Sequence, residues 1–180
     1  AGRLGKELLT GAEVPDSVLA EIETGTGKIL LDKALTNHPE LPSSDQATAV
    51  KKLGARLAAK AARQQLPFRF ILIDDPAPNA CAIPGGSILI SQPLIELCSC
   101  EDELAGVLAH EIQHIDRRHA LNTLAKNFAA KKLLNIAGPM LRKAAETLEV
   151  HIDRGYQEDQ EFEADIEGAR LAKRAGFDPA

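Results

Sequence analysis

Residues 101–114 read Glu-Asp-Glu-Leu-Ala-Gly-Val-Leu-Ala-His-Glu-Ile-Gln-His, and most of what the sequence predicts starts from this stretch. Its acidic first turn would stabilise the positive end of a helix dipole, and Ser99 with Asp102 resembles a capping box. Apolar residues then recur at helical spacing, at Leu104, Val107, Leu108 and Ile115. The pattern predicts a helix that runs to at least Ala120.

Within this helix, His110-Glu111-Ile112-Gln113-His114 is an H-E-x-x-H motif. Residues four apart on a helix lie about 40° apart around its axis and one turn apart along it, so both imidazoles project from one face. Zinc binds histidine nitrogen at about 2.0–2.1 Å, which suits that spacing. The motif therefore predicts His110 and His114 as zinc ligands and Glu111 as the catalytic base.

A catalytic zinc site also needs a third protein ligand and an open position. The extended motif with a third histidine is absent, because Arg117 and Ala120 occupy its last two fixed positions. His119 follows His114 by five residues, so on a continuous helix it points about 140° away. We expect His119 to have a structural role, bonded to a neighbouring segment.

The remaining ligand candidate is a carboxylate on another helix. Glu161 and Asp165 are four residues apart and share one helical face. Glu161 can then bind the metal while Asp165 accepts a hydrogen bond from a ligand histidine. Glu163 points about 200° away from Glu161 and is the weaker candidate.

The chain before the motif is predicted to be largely helical. Residues 1–37 contain short helical patterns, with breaks expected at Pro15 and at residues 25–27. Asp45 can act as an N-cap for an amphipathic helix that extends to about Gln64.

The chain as a whole predicts an α+β fold. Residues 68–73 and 87–91 read as strands, and further helices are expected at about residues 121–135, 139–150 and 157–175, the last ended by Gly176 and Phe177. We expect a mostly helical, zincin-like metalloprotease domain with a small β-sheet beside the zinc-motif helix. Its parts would be an N-terminal helical segment at 1–40, which packs on the core, and a catalytic domain at 41–180.

Composition and charge argue against several classes of function. A net charge of -5 without a basic stripe is not typical of a nucleic-acid-binding protein. No apolar run approaches the ~20 residues that span a bilayer, so we expect no transmembrane segment in this chain. The N-terminus lacks the apolar region of a signal peptide, which we expect to have been removed or never to have existed. Cys81, Cys98 and Cys100 leave the disulfide status open, and Cys98 with Cys100 is a weak metal or redox motif.

Four segments together resemble one enzyme family. They are residues 79–86 (NACAIPGG), 101–111, the pair Arg118-His119, and 156–165 with the ending AGFDP at 175–179. Over about residues 45–180 the chain resembles the zinc metallopeptidase family that includes the CAAX prenyl protease, HtpX and BepA. It is most similar to the soluble, BepA-like periplasmic members.

The resemblance implies a gluzincin with one zinc per chain. It implies zinc ligands at His110, His114 and Glu161, with Glu111 as the base. Asp165 would contact a ligand histidine without binding the metal itself. The chain departs from the family at Gln157-Glu158, where Ser-Arg is usual, and at Cys81, which replaces a commonly aromatic residue. It stops at Ala180, before the family's further C-terminal region, and we expect the group that stabilises the oxyanion to lie beyond that point.

The expected function is a zinc-dependent endopeptidase that acts on unfolded or misassembled polypeptides in the periplasm or another extracytoplasmic space. We expect strand 87–91 at the edge of its sheet, beside the metal, where an extended substrate adds as a further strand. Gly85, Gly86, Ser87 and Ile88 are then the predicted substrate-binding residues.

Two alternatives stay open. A non-catalytic chaperone or binding module would keep zinc for structure, and would need a fourth protein ligand that the sequence does not show. The chain could also be an excised soluble domain of a membrane CAAX-type protease. Partner proteins would bind through residues 1–40 or through the missing C-terminal region.

Overall fold

A computed structural model describes residues 14–127 and 138–178. Its elements in chain order are α1 (Asp16–Asn37), α2 (Asp45–Ala58), β1 (Arg69–Ile73), β2 (Ala80–Ile83), β3 (Ser87–Ser91), α3 (Gln92–Leu97), α4 (Glu101–Asp116), α5 (His119–Asn127), α6 (Pro139–Arg154) and α7 (Glu158–Arg174). This mostly helical chain with one small sheet confirms the predicted α+β class. Of the helix predicted at 121–135, residues 128–135 lie outside the described ranges. None of the described helices combines the length and apolar character of a membrane span.

The sheet has the strand order β1-β3-β2. β1 pairs in parallel with β3, and β2 pairs antiparallel with the other side of β3. Ile88 therefore faces Phe70 across one pairing and Ala82 across the other. The expectation that strand 87–91 lies at an edge is wrong, because both sides of this strand are paired. The sequence analysis did not predict β2, which occupies the second side. β2 has only four residues, two of them alanines, and carries little strand propensity.

The two glycines between β2 and β3 form a tight turn. Gly85 and Gly86 have φ values of 90° and 115°, a region that residues with a side chain rarely adopt. A Cβ on Gly86 would lie 3.1 Å from the carbonyl oxygen of Pro67, and one on Gly85 would face the backbone of Glu23. Their role is to close the hairpin against neighbouring backbone. Because both sides of β3 are paired, a substrate cannot add there as a further strand. Any other substrate contact of Gly85, Gly86, Ser87 and Ile88 stays a prediction.

Helix α1 continues through the break predicted at residues 25–27. The Thr26 hydroxyl is buried and donates to the carbonyl oxygen of Ile22 at 2.6 Å, so this polar group has a partner within the helix. A Cβ on Gly27 would lie 1.8 Å from the carbonyl oxygen of Pro84. Gly27 therefore lets α1 approach the β2–β3 turn closely.

The sheet is buried on both faces, which explains its aliphatic composition. Alternate residues of β3 enter two apolar clusters: Ile88 and Ile90 in one, Leu89 in the other. Leu108 and Ile112 of α4 belong to the first cluster and are fully buried. Burying each such side chain contributes about 1.5–3 kcal/mol. The apolar face of the H-E-x-x-H helix is thereby fixed against the sheet, and its polar face is left for the site.

Two helix starts differ from the prediction by one residue. Ser44, not Asp45, is the N-cap of α2, because its hydroxyl accepts from the Ala47 amide at 3.1 Å. At α4 the N-cap is Cys100, and the Glu103 carboxylate accepts from the Ser99 amide at 2.6 Å. In both helices the sequence predicted the first turn correctly, but it placed the N-cap one residue away from its actual position.

The end of α7 confirms the predicted C-terminal cap. Gly176 has a φ of 89°, the Phe177 amide donates to the carbonyl oxygen of Ala172 at 3.0 Å, and the Gly176 amide donates to that of Lys173 at 3.1 Å. This is a Schellman motif. The Phe177 ring is buried and lies 4.2 Å below the guanidinium of Arg56, so α7 is anchored to α2.

Candidate metal centre

Helix α4 ends at Asp116, four residues before the predicted limit. The Asp116 carboxylate accepts from the amides of Ala62 and Arg63, at 2.7 Å and 3.0 Å, and the Arg63 guanidinium donates to the carbonyl oxygen of Ile115. Arg118 then adopts a φ of 55°, which turns the chain into α5. The segment after α2 thus binds the C-terminal end of α4 and stops it there.

This turn brings His119 back beside His114. The Nδ1 atoms of the two rings are 2.9 Å apart. The 140° separation assumed a continuous helix, and that assumption was wrong. His119 is buried and also contacts the Glu163 carboxylate through Nε2, at 3.3 Å.

Three side chains on two helices converge at one point. Nε2 of His110 and Nε2 of His114 are 2.9 Å apart, and Oε2 of Glu161 lies 3.3 Å from the first and 3.7 Å from the second. Among the described residues these three form the cluster whose ligand atoms could hold a metal ion. The close crossing of α4 and α7 depends on Gly168, where a Cβ would lie 2.9 Å from the His110 backbone nitrogen.

Further contacts hold the converging groups in place. Nδ1 of His110 lies 2.9 Å from Oδ1 of Asp165, the pairing expected for Asp165. The Tyr156 amide donates to Oε1 of Glu161 at 2.7 Å, which leaves Oε2 facing the histidines. The Tyr156 ring stacks on the His114 ring with 4.5 Å between centroids.

Burial sets the protonation of two groups in the site. It raises the pKa of Glu111 to about 7, against the opposing effects of His110 and of a hydrogen bond from the backbone of Ala82, while Glu161 adds to the rise. Burial lowers the pKa of His114 to about 3, and His119 and His110 lower it further. His114 is therefore neutral at physiological pH and keeps a lone pair for a ligand. A divalent cation would favour the ionised form of Glu111.

The residues present fit a divalent metal ion. The donors are two imidazole nitrogens and one carboxylate oxygen, and the Nδ1 atom of each imidazole contacts another group. Two histidines and one glutamate are a donor set of catalytic zinc sites, in which a fourth position stays open. Cys98 and Cys100 take no part in this cluster.

The H-E-x-x-H helix, the small sheet and a carboxylate from a second helix define a metallopeptidase. The sequence profile of Peptidase family M48 matches residues 44–180, and the chain belongs to this family. The predicted family and the predicted class of enzyme, a metalloprotease, are confirmed. Members of this family depend on a metal ion, and the cluster of His110, His114 and Glu161 is where this chain could hold one.

Two relatives illustrate the match. The chain is 31% identical over 144 residues to the mitochondrial metalloendopeptidase OMA1 of Schizosaccharomyces pombe, an alignment that covers 77% of this chain and 43% of that protein. It is 31% identical over 169 residues to the beta-barrel assembly-enhancing protease of Escherichia coli K12, covering 86% of this chain and 32% of that protein. The chain thus spans less than half the length of these relatives.

Sequence reasoning missed three contacts of the site. They are the His114–His119 pair, the stacking of Tyr156 on His114, and the hydrogen bond from Ala82 to Glu111. All three depend on tertiary packing or on the positive φ of Arg118, which has no local sequence signal. The sequence had singled out His119 for a structural role bonded to a neighbouring segment, and its contact with Glu163 agrees with that expectation.

Proposed function

We propose that this metallopeptidase is a zinc-dependent endopeptidase that cleaves unfolded or misassembled proteins. The observation that carries the proposal is the convergence of His110, His114 and Glu161, with Glu111 beside them on α4. The family supports peptide hydrolysis with a metal. The identity of the metal, the role of each residue and the substrate class are the proposal.

Glu111 is the proposed general base. A carboxyl group whose pKa is near 7 can both accept and return a proton near neutral pH. In the proposed mechanism Glu111 takes a proton from the attacking water and delivers it to the leaving amine. The ion, when bound, supplies Lewis-acid activation of the water and of the scissile carbonyl. His110, His114 and Glu161 are the proposed ligands, and Asp165 orients His110.

The proposed substrate platform is β2 and not β3. Within residues 14–127 and 138–178, β2 pairs with β3 alone, so its other side is an edge. A hydrogen bond with the backbone of Ala82 counters the rise in the pKa of Glu111, and this supports an edge that lies close to the proposed base. An extended peptide that adds to β2 would lie across the site. Backbone pairing reads little sequence, which supports unfolded chains as the substrate class.

The structural-zinc alternative is not favoured. A closed structural site needs four protein ligands, and the cluster in the described part of the chain offers three. We also propose an extracytoplasmic location, in line with the beta-barrel assembly-enhancing proteases among the relatives; the mitochondrial OMA1 relatives point to a different compartment. Fractionation of the source cells tests this location. Partner proteins that contact residues 1–40 stay a prediction.

A peptide-library digest with and without a chelator tests the proposed function. We expect internal cleavage of unfolded peptides that stops when the metal is removed and returns with one equivalent of zinc. Glu111→Gln should bind zinc and remain inactive, because an amide cannot take up a proton at neutral pH. Cleavage that persists in the chelator, or equal cleavage by Glu111→Gln, would contradict the proposal.

A further inference from the structure

A third histidine, His119, lies directly behind His114, one of the proposed ligands. His119 is 1% exposed, and its ring bridges two groups: Nδ1 lies 2.9 Å from Nδ1 of His114, and Nε2 lies 3.3 Å from Oε2 of Glu163. His119 is not part of the cluster of ligand atoms. Its contacts nevertheless form a continuous hydrogen-bonded chain from a carboxylate to the back of a ligand ring.

The placement of protons along this chain follows from the chemistry of its ends. An ionised carboxylate can only accept hydrogen bonds, so the contact with Glu163 requires a proton on Nε2 of His119. Burial favours the neutral form of an imidazole, which carries a single N–H. Nδ1 of His119 is then an acceptor, and the hydrogen bond between the rings requires the proton on Nδ1 of His114. The lone pair of His114 is left on Nε2, toward His110.

The opposite arrangement would block the site. With its proton on Nδ1, His119 would present a lone pair to the Glu163 carboxylate, and His114 would carry its own proton on Nε2. That proton would point at Nε2 of His110, 2.9 Å away, where the metal ion is expected. In the metal-free protein that proton could also donate to Nε2 of His110, so the Glu163 carboxylate is the group that opposes this arrangement before a metal ion binds.

We propose that His119 and Glu163 are positioning residues that hold His114 in the tautomer whose Nε2 can bind a metal ion. This inference rests on the metal site of the proposed function. Asp165 has the equivalent role for His110 by direct contact, whereas His114 is oriented through an intermediate ring.

The structure also supplies a matched control. Arg117 bonds to Oε1 of Glu163 at 3.2 Å and to Oε2 of Glu167 at 3.1 Å. Glu163 and Glu167 are therefore one turn apart on α7 and share the same arginine, but only Glu163 is bonded to His119. Truncating Glu167 disturbs the arginine network and leaves the histidine chain intact.

The first experiment measures zinc affinity of the metal-stripped full chain by competition with a chromophoric chelator. We expect Glu163→Ala to weaken zinc binding about tenfold and His119→Leu by about 10–100-fold, the range typical of groups that orient ligands. Glu167→Ala should leave the affinity unchanged. His119→Asn should stay within a few-fold of wild type, because its amide oxygen lies near the position of Nδ1 and can accept from His114. In that background, Glu163→Ala should have no further effect.

The second readout is the tautomer itself, from ¹⁵N NMR of the imidazoles in the metal-free protein. We expect the His114 proton on Nδ1 in wild type and a population with the proton on Nε2 in Glu163→Ala. A wild-type proton on Nε2 would overturn the inference. Thermal unfolding of each variant checks its folding. Glu163 is partly exposed, so we expect Glu163→Ala to fold. This variant therefore still tests the inference if His119→Leu does not fold.

The outcomes separate this inference from the proposed function. If zinc binds wild type tightly, is lost in His110→Ala, and is unaffected by Glu163→Ala and His119→Leu, the positioning role is wrong and the metal site stands. If wild-type binding is absent, or unchanged in His110→Ala, the metal site fails, and with it the inference that rests on it.

Discussion

The two histidines of the motif are supported in different surroundings, although they lie four residues apart on one helix. On the solvent side, His110 contacts Asp165, whose side chain is 70% exposed. On the core side, His114 and His119 have side chains 3% and 1% exposed and reach Glu163 at the surface. Hydrogen bonds in water compete with solvent and are screened, whereas buried ones are not. The comparison predicts that losing a contact on the core side weakens metal binding more than losing one on the solvent side.

Removing a ligand should have the largest effect and should not distinguish the two sides. We expect His110→Ala, His114→Ala and Glu161→Ala each to lose zinc by more than the ~100-fold typical of groups around the ligands. Elemental analysis after dialysis should show about one zinc per chain in wild type and close to none in the variants. If Glu161→Ala retains zinc and Glu163→Ala loses it, then Glu163 on the core side is the third ligand and Glu161 is not.

Glu111 lies on the same helix as both proposed histidine ligands, and the loss of this proposed base should affect the chemical step only. We expect Glu111→Gln to lower the rate of peptide hydrolysis by about 10²–10⁴-fold while zinc stays bound, because general base catalysis contributes this much. The measurement is the initial rate at equal zinc occupancy, with Glu167→Gln as a control of equal charge change. A rate near that of wild type would assign the base to another group.

The buried groups also predict how the stability of the metal-free protein depends on pH. Burial lowers the pKa of His114 from its ordinary value of about 6.5 to about 3 in the folded protein. Below pH 6.5 the unfolded chain therefore binds more protons at this residue than the folded chain does. The contribution of His114 to stability is lost as the pH falls toward 3. Glu111 has a pKa raised to about 7, so its contribution is lost as the pH rises through 7. The two contributions oppose each other between about pH 4.5 and 6.5.

Glu111→Gln should separate these two contributions. Without the carboxyl group, the metal-free variant should gain stability relative to wild type as the pH rises from 5 to 8, by at most ~3 kcal/mol. Denaturant unfolding in the presence of a chelator measures this difference. Parallel curves for the two proteins would show that the Glu111 pKa is not raised by burial.

Asp165→Asn should have the smallest effect. The amide oxygen can still accept from Nδ1 of His110, and the contact is exposed, so we expect a loss of zinc affinity at or below the tenfold end of the usual range. The same chelator competition measures it beside Glu163→Ala. A loss larger than that of Glu163→Ala would reverse the comparison between the solvent side and the core side.

The sequence predicted the parts of the site that depend on local spacing. His110 and His114 converge because they are four apart on one helix, and Glu161 and Asp165 share a face for the same reason. The α+β class and the cap at Gly176 also follow from local patterns. In each case the interaction is set by residues within one or two turns.

What the sequence did not predict depends on contacts between distant segments. The end of α4 is set by Ala62 and Arg63, more than fifty residues before Asp116, so the path to His119 could not be read locally. β2 was missed because four residues carry too little pattern, and the wrong edge followed from that omission. α1 continues through residues 25–27, where Gly27 packs against the backbone of Pro84, a segment distant in sequence.

The shortness of β2 has a consequence for which proteins can be cleaved. An edge of four residues offers few backbone hydrogen bonds, and a chain that already has partners for its own backbone gains nothing by exchanging them. On the proposed pairing, a folded protein must first open locally, and the free energy of that opening adds to the activation barrier. A segment that opens at a cost of about 4 kcal/mol would be cut about a thousandfold more slowly than a disordered one. The choice of substrate would then depend on how easily a segment of the substrate protein unfolds locally.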